Sequence, residues 1–199
     1  APQVSALSAQ FRTIAIDLRG HGESDAPLWS FSLNQYADDV AALLDHLDIP
    51  QAVLVGLSMG GYVSLAFSRT YGKRLLGLVL ADTRAQADSP DGRTGRFHLA
   101  QTAYTQGTET VANTMLPKLL GATSLNNKPE LVESIRRTIH QAPVSGILVD
   151  LMAMADRRDS TTHLSAILCP TLVVIGEEDH TTPLVDAQLM AERIPHARL

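Results

Sequence analysis

The sequence of 199 residues contains a single cysteine, no apolar run approaching the ~20 residues of a membrane-spanning helix, and no cluster of basic residues. Each shortage excludes something. A lone Cys169 leaves no disulfide framework and no thiolate metal cluster, and just before Pro170 it reads as a small buried hydrophobe leading into a strand. A net charge of −5 without a basic stripe removes the electrostatic footprint of a nucleic-acid binder. The opening Ala1-Pro2-Gln3-Val4-Ser5 has neither the basic flank nor the apolar stretch of a signal peptide. None of the seven histidines stands at metal-ligand spacing from acids or other histidines. A cytoplasmic protein is expected, with no metal, no cofactor, no nucleic acid and no membrane partner.

What is present is an ordinary globular composition, 45% apolar and 19% charged, enough to bury a core. Four short apolar runs, Thr13 to Ile16, Ala52 to Leu57, Leu75 to Ala81 and Thr171 to Ile175, lack in-out alternation and read as buried parallel strands. Helical patterns separate them, the βαβ signature of an α/β fold. Leu33, Tyr36, Val40, Leu43, Leu44 and Leu47 share one helical face, with Ser32 and Gln35 as a capping box and Pro50 as the stop. From Asp82 to Leu168 the strand pattern disappears. Helices are predicted at roughly 93–106, 108–120, 129–141 and 144–156, the third with Leu131, Ile135 and Ile139 as its buried stripe. The spacing thus predicts a core of residues 1–82 and 169–199 with a helical cap, residues 83–168, inserted between strands.

The segment Gly56-Leu57-Ser58-Met59-Gly60 matches Gly-x-Ser-x-Gly. By composition alone such a match arises about once in fifteen chains of this length, so its setting decides. An apolar strand ends at the motif and an amphipathic helix leaves it. A serine at so sharp a turn is held in a strained conformation that lifts its hydroxyl into the open. Gly56 and Gly60 are expected to let strand and helix approach, with Gly61 relieving the same crowding. The helix start aims free N–H groups at developing negative charge, which makes the Met59 backbone N–H a candidate oxyanion donor.

Together, Asp17-Leu18-Arg19-Gly20-His21-Gly22-Glu23-Ser24, Gly56-Leu57-Ser58-Met59-Gly60-Gly61 and Gly176-Glu177-Glu178-Asp179 resemble the α/β-hydrolase superfamily in order and spacing. The wording of the serine motif is closest to the 3-oxoadipate enol-lactonases and related esterases. The resemblance implies Ser58 as nucleophile and Asp179 as the acid that orients a histidine, with Asp82 in reserve at the end of the preceding strand. It also implies a histidine after the acid. Only His180 and His196 follow Asp179; the first is adjacent to it and the second sits at the wrong end of the sheet. The family's histidine loop, its first oxyanion loop and one central strand have no counterpart here, so truncation at both ends is expected.

The implied activity, for a longer parent, is hydrolysis of small carboxylic esters or lactones through an acyl-enzyme, without a cofactor; the chain alone is expected to be nearly inactive. A cofactor-free haloperoxidase or perhydrolase, a carbon–carbon bond hydrolase, or a non-catalytic small-molecule binder of the same fold remain as alternatives. Leu116, Leu120, Leu148, Met152 and Met154 are candidates to line the cap side of a pocket, or to be plain core.

Overall fold

The computed structural model describes residues 2–25 and 32–199. A short helix α1 (Pro2–Leu7) precedes α2 (Leu33–His46), β1 (Ala52–Leu57), α3 (Met59–Tyr71) and β2 (Leu75–Ala81). Four helices follow without an intervening strand: α4 (Pro90–Leu119), α5 (Ala122–Asn127), α6 (Pro129–Gln141) and α7 (Val144–Ala155). The chain then returns through β3 (Thr171–Val174), α8 (Leu184–Arg193) and β4 (Ala197–Arg198). The described strands form one parallel sheet in the order β1-β2-β3-β4. The architecture is α/β, as the alternation of apolar runs and helical faces predicts.

Local chemistry sets the element ends. At α2 the Ser32 side chain accepts from the Gln35 N–H while the Gln35 side chain accepts from the Ser32 N–H. The other end closes before Pro50 is reached. Asp48 takes a left-handed φ of 53°, the Asp48 N–H bonds the Asp45 carbonyl, and the Ile49 N–H bonds the Leu44 carbonyl. That is a Schellman closure with aspartate in the usual glycine position, so the stop belongs to Asp48 rather than to proline. Within α4, Gly107 at φ 78° breaks the helix between the two segments expected there.

Two expectations fail in the sheet. Thr13 to Ile16 forms no strand and enters no ladder, because an apolar run becomes a strand only where a neighbour accepts its hydrogen bonds. The other strands are covered on one face only. Val53, Val55 and Leu57 on β1 are between 54% and 64% exposed, and Leu172 and Val174 on β3 lie on the same bare side. Continuous apolar sequence therefore marks strands built for two covered faces, while α2 and α3 cover only one here.

Beneath that covered face lie two apolar clusters. One joins α2 and α3 through Tyr36, Val40, Leu44, Val63 and Phe67. The other joins β2, β3 and α8 through Leu78, Leu80, Val173 and Met190, and takes Leu164 and Ile167 from the segment before β3. Cys169 touches both clusters, and burial raises its thiol above the ordinary range. By contrast α6 is peripheral: Leu131 is exposed, Ile135 and Ile139 are half-buried, and no α6 residue is fully buried. Leu116 is buried and Met154 packs against the α2–α3 cluster, so both serve as core. Among the described residues no helix is long and apolar enough to cross a membrane.

Candidate active site

Strand β1 ends at Leu57, level with Ala81 of β2, which is level with Val174 of β3. The residues following these positions collect at one edge of the parallel sheet, where α/β folds place ligands. Ser58 follows β1, Asp82 follows β2, and Asp179 lies five residues past the end of β3.

Ser58 has φ 50° and ψ −110°, an uncommon conformation for a residue with a side chain. Four bonds hold it there. Its N–H donates to the Ala81 carbonyl at 2.8 Å, and its carbonyl accepts from the Gly61 N–H at 2.9 Å, the Tyr62 N–H at 3.3 Å and the Thr83 hydroxyl at 2.8 Å. The Ser58 side chain does not cap α3, and its Oγ has no hydrogen-bond partner among the described residues. Met59 is the first helical residue, so its N–H has no intrahelical acceptor. The turn thus presents an unengaged hydroxyl beside an unengaged backbone donor.

The glycines of the turn divide the work differently from the expectation. A Cβ on Gly56 would lie 2.3 Å from the Gly60 carbonyl oxygen, and one on Gly61 would lie 2.5 Å from the Thr83 side chain. A Cβ on Gly60 would meet nothing within 4 Å among the described residues. Close approach therefore requires Gly56 and Gly61, while the Gly60 side of the helix faces open space.

Asp179 anchors its own loop. One carboxylate oxygen accepts from the N–H groups of Thr181 at 2.7 Å and Thr182 at 2.9 Å, and the other accepts from the Thr182 hydroxyl. Neighbouring residues tie the loop to the helical segment. Glu178 accepts from the Thr123 N–H at 2.9 Å and from its hydroxyl, and the Thr181 hydroxyl donates to the Lys118 carbonyl at 2.9 Å. Bonds from Thr123 hold the Glu178 carboxyl below its ordinary range. Asp82, at φ 43°, instead accepts from the Gly176 N–H at 2.9 Å, which pins the start of that loop.

None of the seven histidines bonds to Ser58 or Asp179 among the described residues. His21 Nε2 lies 2.7 Å from Asp150 Oδ2 on α7, and the buried Tyr36 hydroxyl donates to Asp150 Oδ1 at 2.5 Å. His140 pairs with Glu109 on α4. The His196 carbonyl accepts from the Thr171 N–H at the start of β3, the far end of the sheet. Among the described residues no group of three or more histidines, cysteines and acids is disposed to hold a metal ion.

Sequence reasoning passed over Arg157. It is 7% exposed, bonds the Gln86 and Met154 carbonyls, pairs with Asp88 at 2.7 Å, and lies 4.1 Å above the Tyr62 ring on α3. It fastens the residues after α7 to α3, the helix that follows Ser58. Arginine in a polar run carries no sequence signal of burial; only its partners do.

A family model described as alpha/beta hydrolase fold matches residues 1–199. The 3-oxoadipate enol-lactonase 2 of Acinetobacter baylyi is 31% identical over 197 residues, covering 99% of this chain and 72% of that protein. Among solved structures, a thermophilic esterase from Thermogutta terrifontis superposes with a TM-score of 0.94 at 42% identity, covering 98% of this chain and 72% of that one. The enol-lactonase from Burkholderia xenovorans LB400 superposes with a TM-score of 0.91 at 32% identity, covering 100% of this chain and 75% of that one.

Proposed function

The chain belongs to the α/β-hydrolase family, and from that premise we propose that it carries the nucleophile half of a serine hydrolase of small carboxylic esters or lactones. The observation that carries this reading is the Ser58 backbone, at φ 50° and ψ −110° between β1 and α3, with its hydroxyl unengaged. Ser58 Oγ attacks the substrate carbonyl and its proton passes to a histidine. The oxyanion is met by the Met59 N–H, the alcohol leaves with that proton, and water then hydrolyses the acyl-enzyme. Asp179 is the acid that orients the imidazole. Its loop position past β3 and its three local hydrogen bonds, which fix the carboxylate, support that role.

Among the described residues no histidine bonds Ser58 or Asp179. His21 and His140 are paired with acids elsewhere, and His196 lies at the opposite end of the sheet. The proposed mechanism needs an imidazole that reaches Ser58, and among the described residues none bonds it. Residues 83–168 act as a cap that sets specificity over a core of residues 1–82 and 169–199. The bond from the Thr123 N–H to Glu178, and that from the Thr181 hydroxyl to the Lys118 carbonyl, support a cap beside the nucleophile.

Hydrolysis of short p-nitrophenyl esters tests the reading, using this chain and a longer natural form of it. Turnover by the longer form, abolished in Ser58→Ala, is expected. Equal turnover by that variant would assign the nucleophile elsewhere, and turnover by the 199-residue chain would mean that one of its own histidines is the base.

A further inference from the structure

Along α3, where Tyr62, Leu65 and Arg69 meet the residues after β2 and after α7, a small cavity of about 10 Å³ is lined by four arginines, Arg69, Arg84, Arg157 and Arg158, with Ser160 and an apolar wall that includes Tyr62. That volume holds one water-sized particle. Two of the four charges are neutralised: Arg84 pairs with Asp186 at 3.2 Å, and Arg157 pairs with Asp88 at 2.7 Å. The other two are not. Among the described residues Arg69 donates only to neutral oxygens, Ser160 Oγ at 2.5 Å and Asn34 Oδ1 at 3.3 Å. Arg158 has no hydrogen-bond or ion-pair partner among the described residues. The adjacent Asp159 turns its carboxylate to the N–H groups of Ala87 and Thr161 instead. Residues 26–31, which lie outside the described structure, contain no acid.

Ser160 adds a donor. Its side chain lies on a residue only 3% exposed, its Oγ accepts from Arg69, and its own proton has no acceptor among the described residues. Burial, and then the Arg158 charge, lower the Arg69 guanidinium from its ordinary value, the mark of a cation without a counter-charge.

We propose that this cavity is a binding site for one small anion, seated on Arg69, Arg158 and the Ser160 hydroxyl. A halide fills a space of this size; a single oxygen of a carboxylate entering from solvent offers the same chemistry. The seat is independent of the catalytic reading and joins α3, the residues after β2 and the residues after α7.

The test is the ³⁵Cl resonance of chloride in solutions of this chain at constant ionic strength, with gluconate as the balancing anion. Saturable excess broadening is expected, falling to the buffer level in Arg69→Gln and in Arg158→Gln. Arg158 is exposed and has no partner among the described residues, so its variant decides the matter if Arg69→Gln does not fold. Acetate that displaces the broadening assigns the seat to carboxylates as well; acetate without effect restricts it to free halide. No excess broadening, or equal broadening in the Arg158→Gln variant, which would put the chloride elsewhere on the protein, overturns the proposal.

Discussion

The Thr83 hydroxyl donates to the Ser58 carbonyl oxygen at 2.8 Å, fastening the residue after β2 to the residue after β1. Thr83 is 1% exposed and packs against Gly61, so the bond is shielded from water. The same carbonyl also accepts from the Gly61 N–H, and it is not orphaned when the hydroxyl is removed. Thr83→Val is therefore expected to cost about 1 kcal/mol of stability, the net worth of one neutral hydrogen bond. Urea unfolding of the two forms measures it. A loss near zero would mean that strand pairing alone fixes the turn.

The two glycines flanking Ser58 should respond oppositely to a methyl group. Gly56→Ala places a Cβ 2.3 Å from the Gly60 carbonyl oxygen, an overlap with backbone that cannot rotate away. About 3 kcal/mol or more of destabilisation is expected. Gly60→Ala meets open space at a helical position and should stabilise by up to ~1 kcal/mol through helix propensity. Midpoints of denaturant unfolding for the pair check the prediction, and parallel losses would refute it.

The His21–Asp150 pair gives stability a pH dependence of defined sign. The hydrogen bond to Asp150 raises His21 above its ordinary value, and this outweighs partial burial, which lowers it. Protonated His21 thus favours the folded state. Its contribution is complete below the unfolded histidine pKa of about 6.5 and is lost as pH rises through the higher folded value. His163 works in the opposite sense, because burial lowers it. The informative quantity is the difference between the parent and His21→Gln, followed by unfolding from pH 5 to 9. It should shrink as pH rises; a flat difference would show that the pair does not titrate.

On the proposed mechanism, Asp179 and Asp82 can be separated by kinetics in whichever form of the chain turns over p-nitrophenyl esters. Asp179→Asn is expected to lower kcat by about 10⁴-fold with little change in KM, because the imidazole loses its orienting charge. Asp82→Asn retains a carbonyl oxygen for the Gly176 N–H and should lower kcat far less. A reversal of the two effects would make Asp82 the acid.

A fifth expectation concerns Arg157, whose side chain is 3% exposed against Asp88 at 8%. Arg157→Met removes a buried charge but leaves Asp88 its bond to Arg96, so a cost of about 3 kcal/mol, at the lower end for a broken buried pair, is expected. Thermal unfolding measures it. A neutral result would mean that Met packs over Tyr62 as well as the guanidinium does.

By itself the sequence determined the elements whose causes are local. The apolar runs at β1 and β2 have the observed bounds, the Ser32–Gln35 box opens α2, and the strand–serine–helix order puts Ser58 at the first residue before α3. Each depends on neighbours a few residues apart. Tertiary structure decided the rest. Thr13 to Ile16 is as apolar as β1, yet it makes no ladder, since a strand is defined by a partner distant in sequence. Gly56 and Gly60 look equivalent in the motif, and only the fold reveals which of them another backbone touches. Likewise the burial of Arg157, and the convergence of four arginines on one small cavity, follow from which loops the sheet and helices bring together. Local pattern encodes dihedral preference and amphipathic face; contact between remote segments is fixed only when the core has packed.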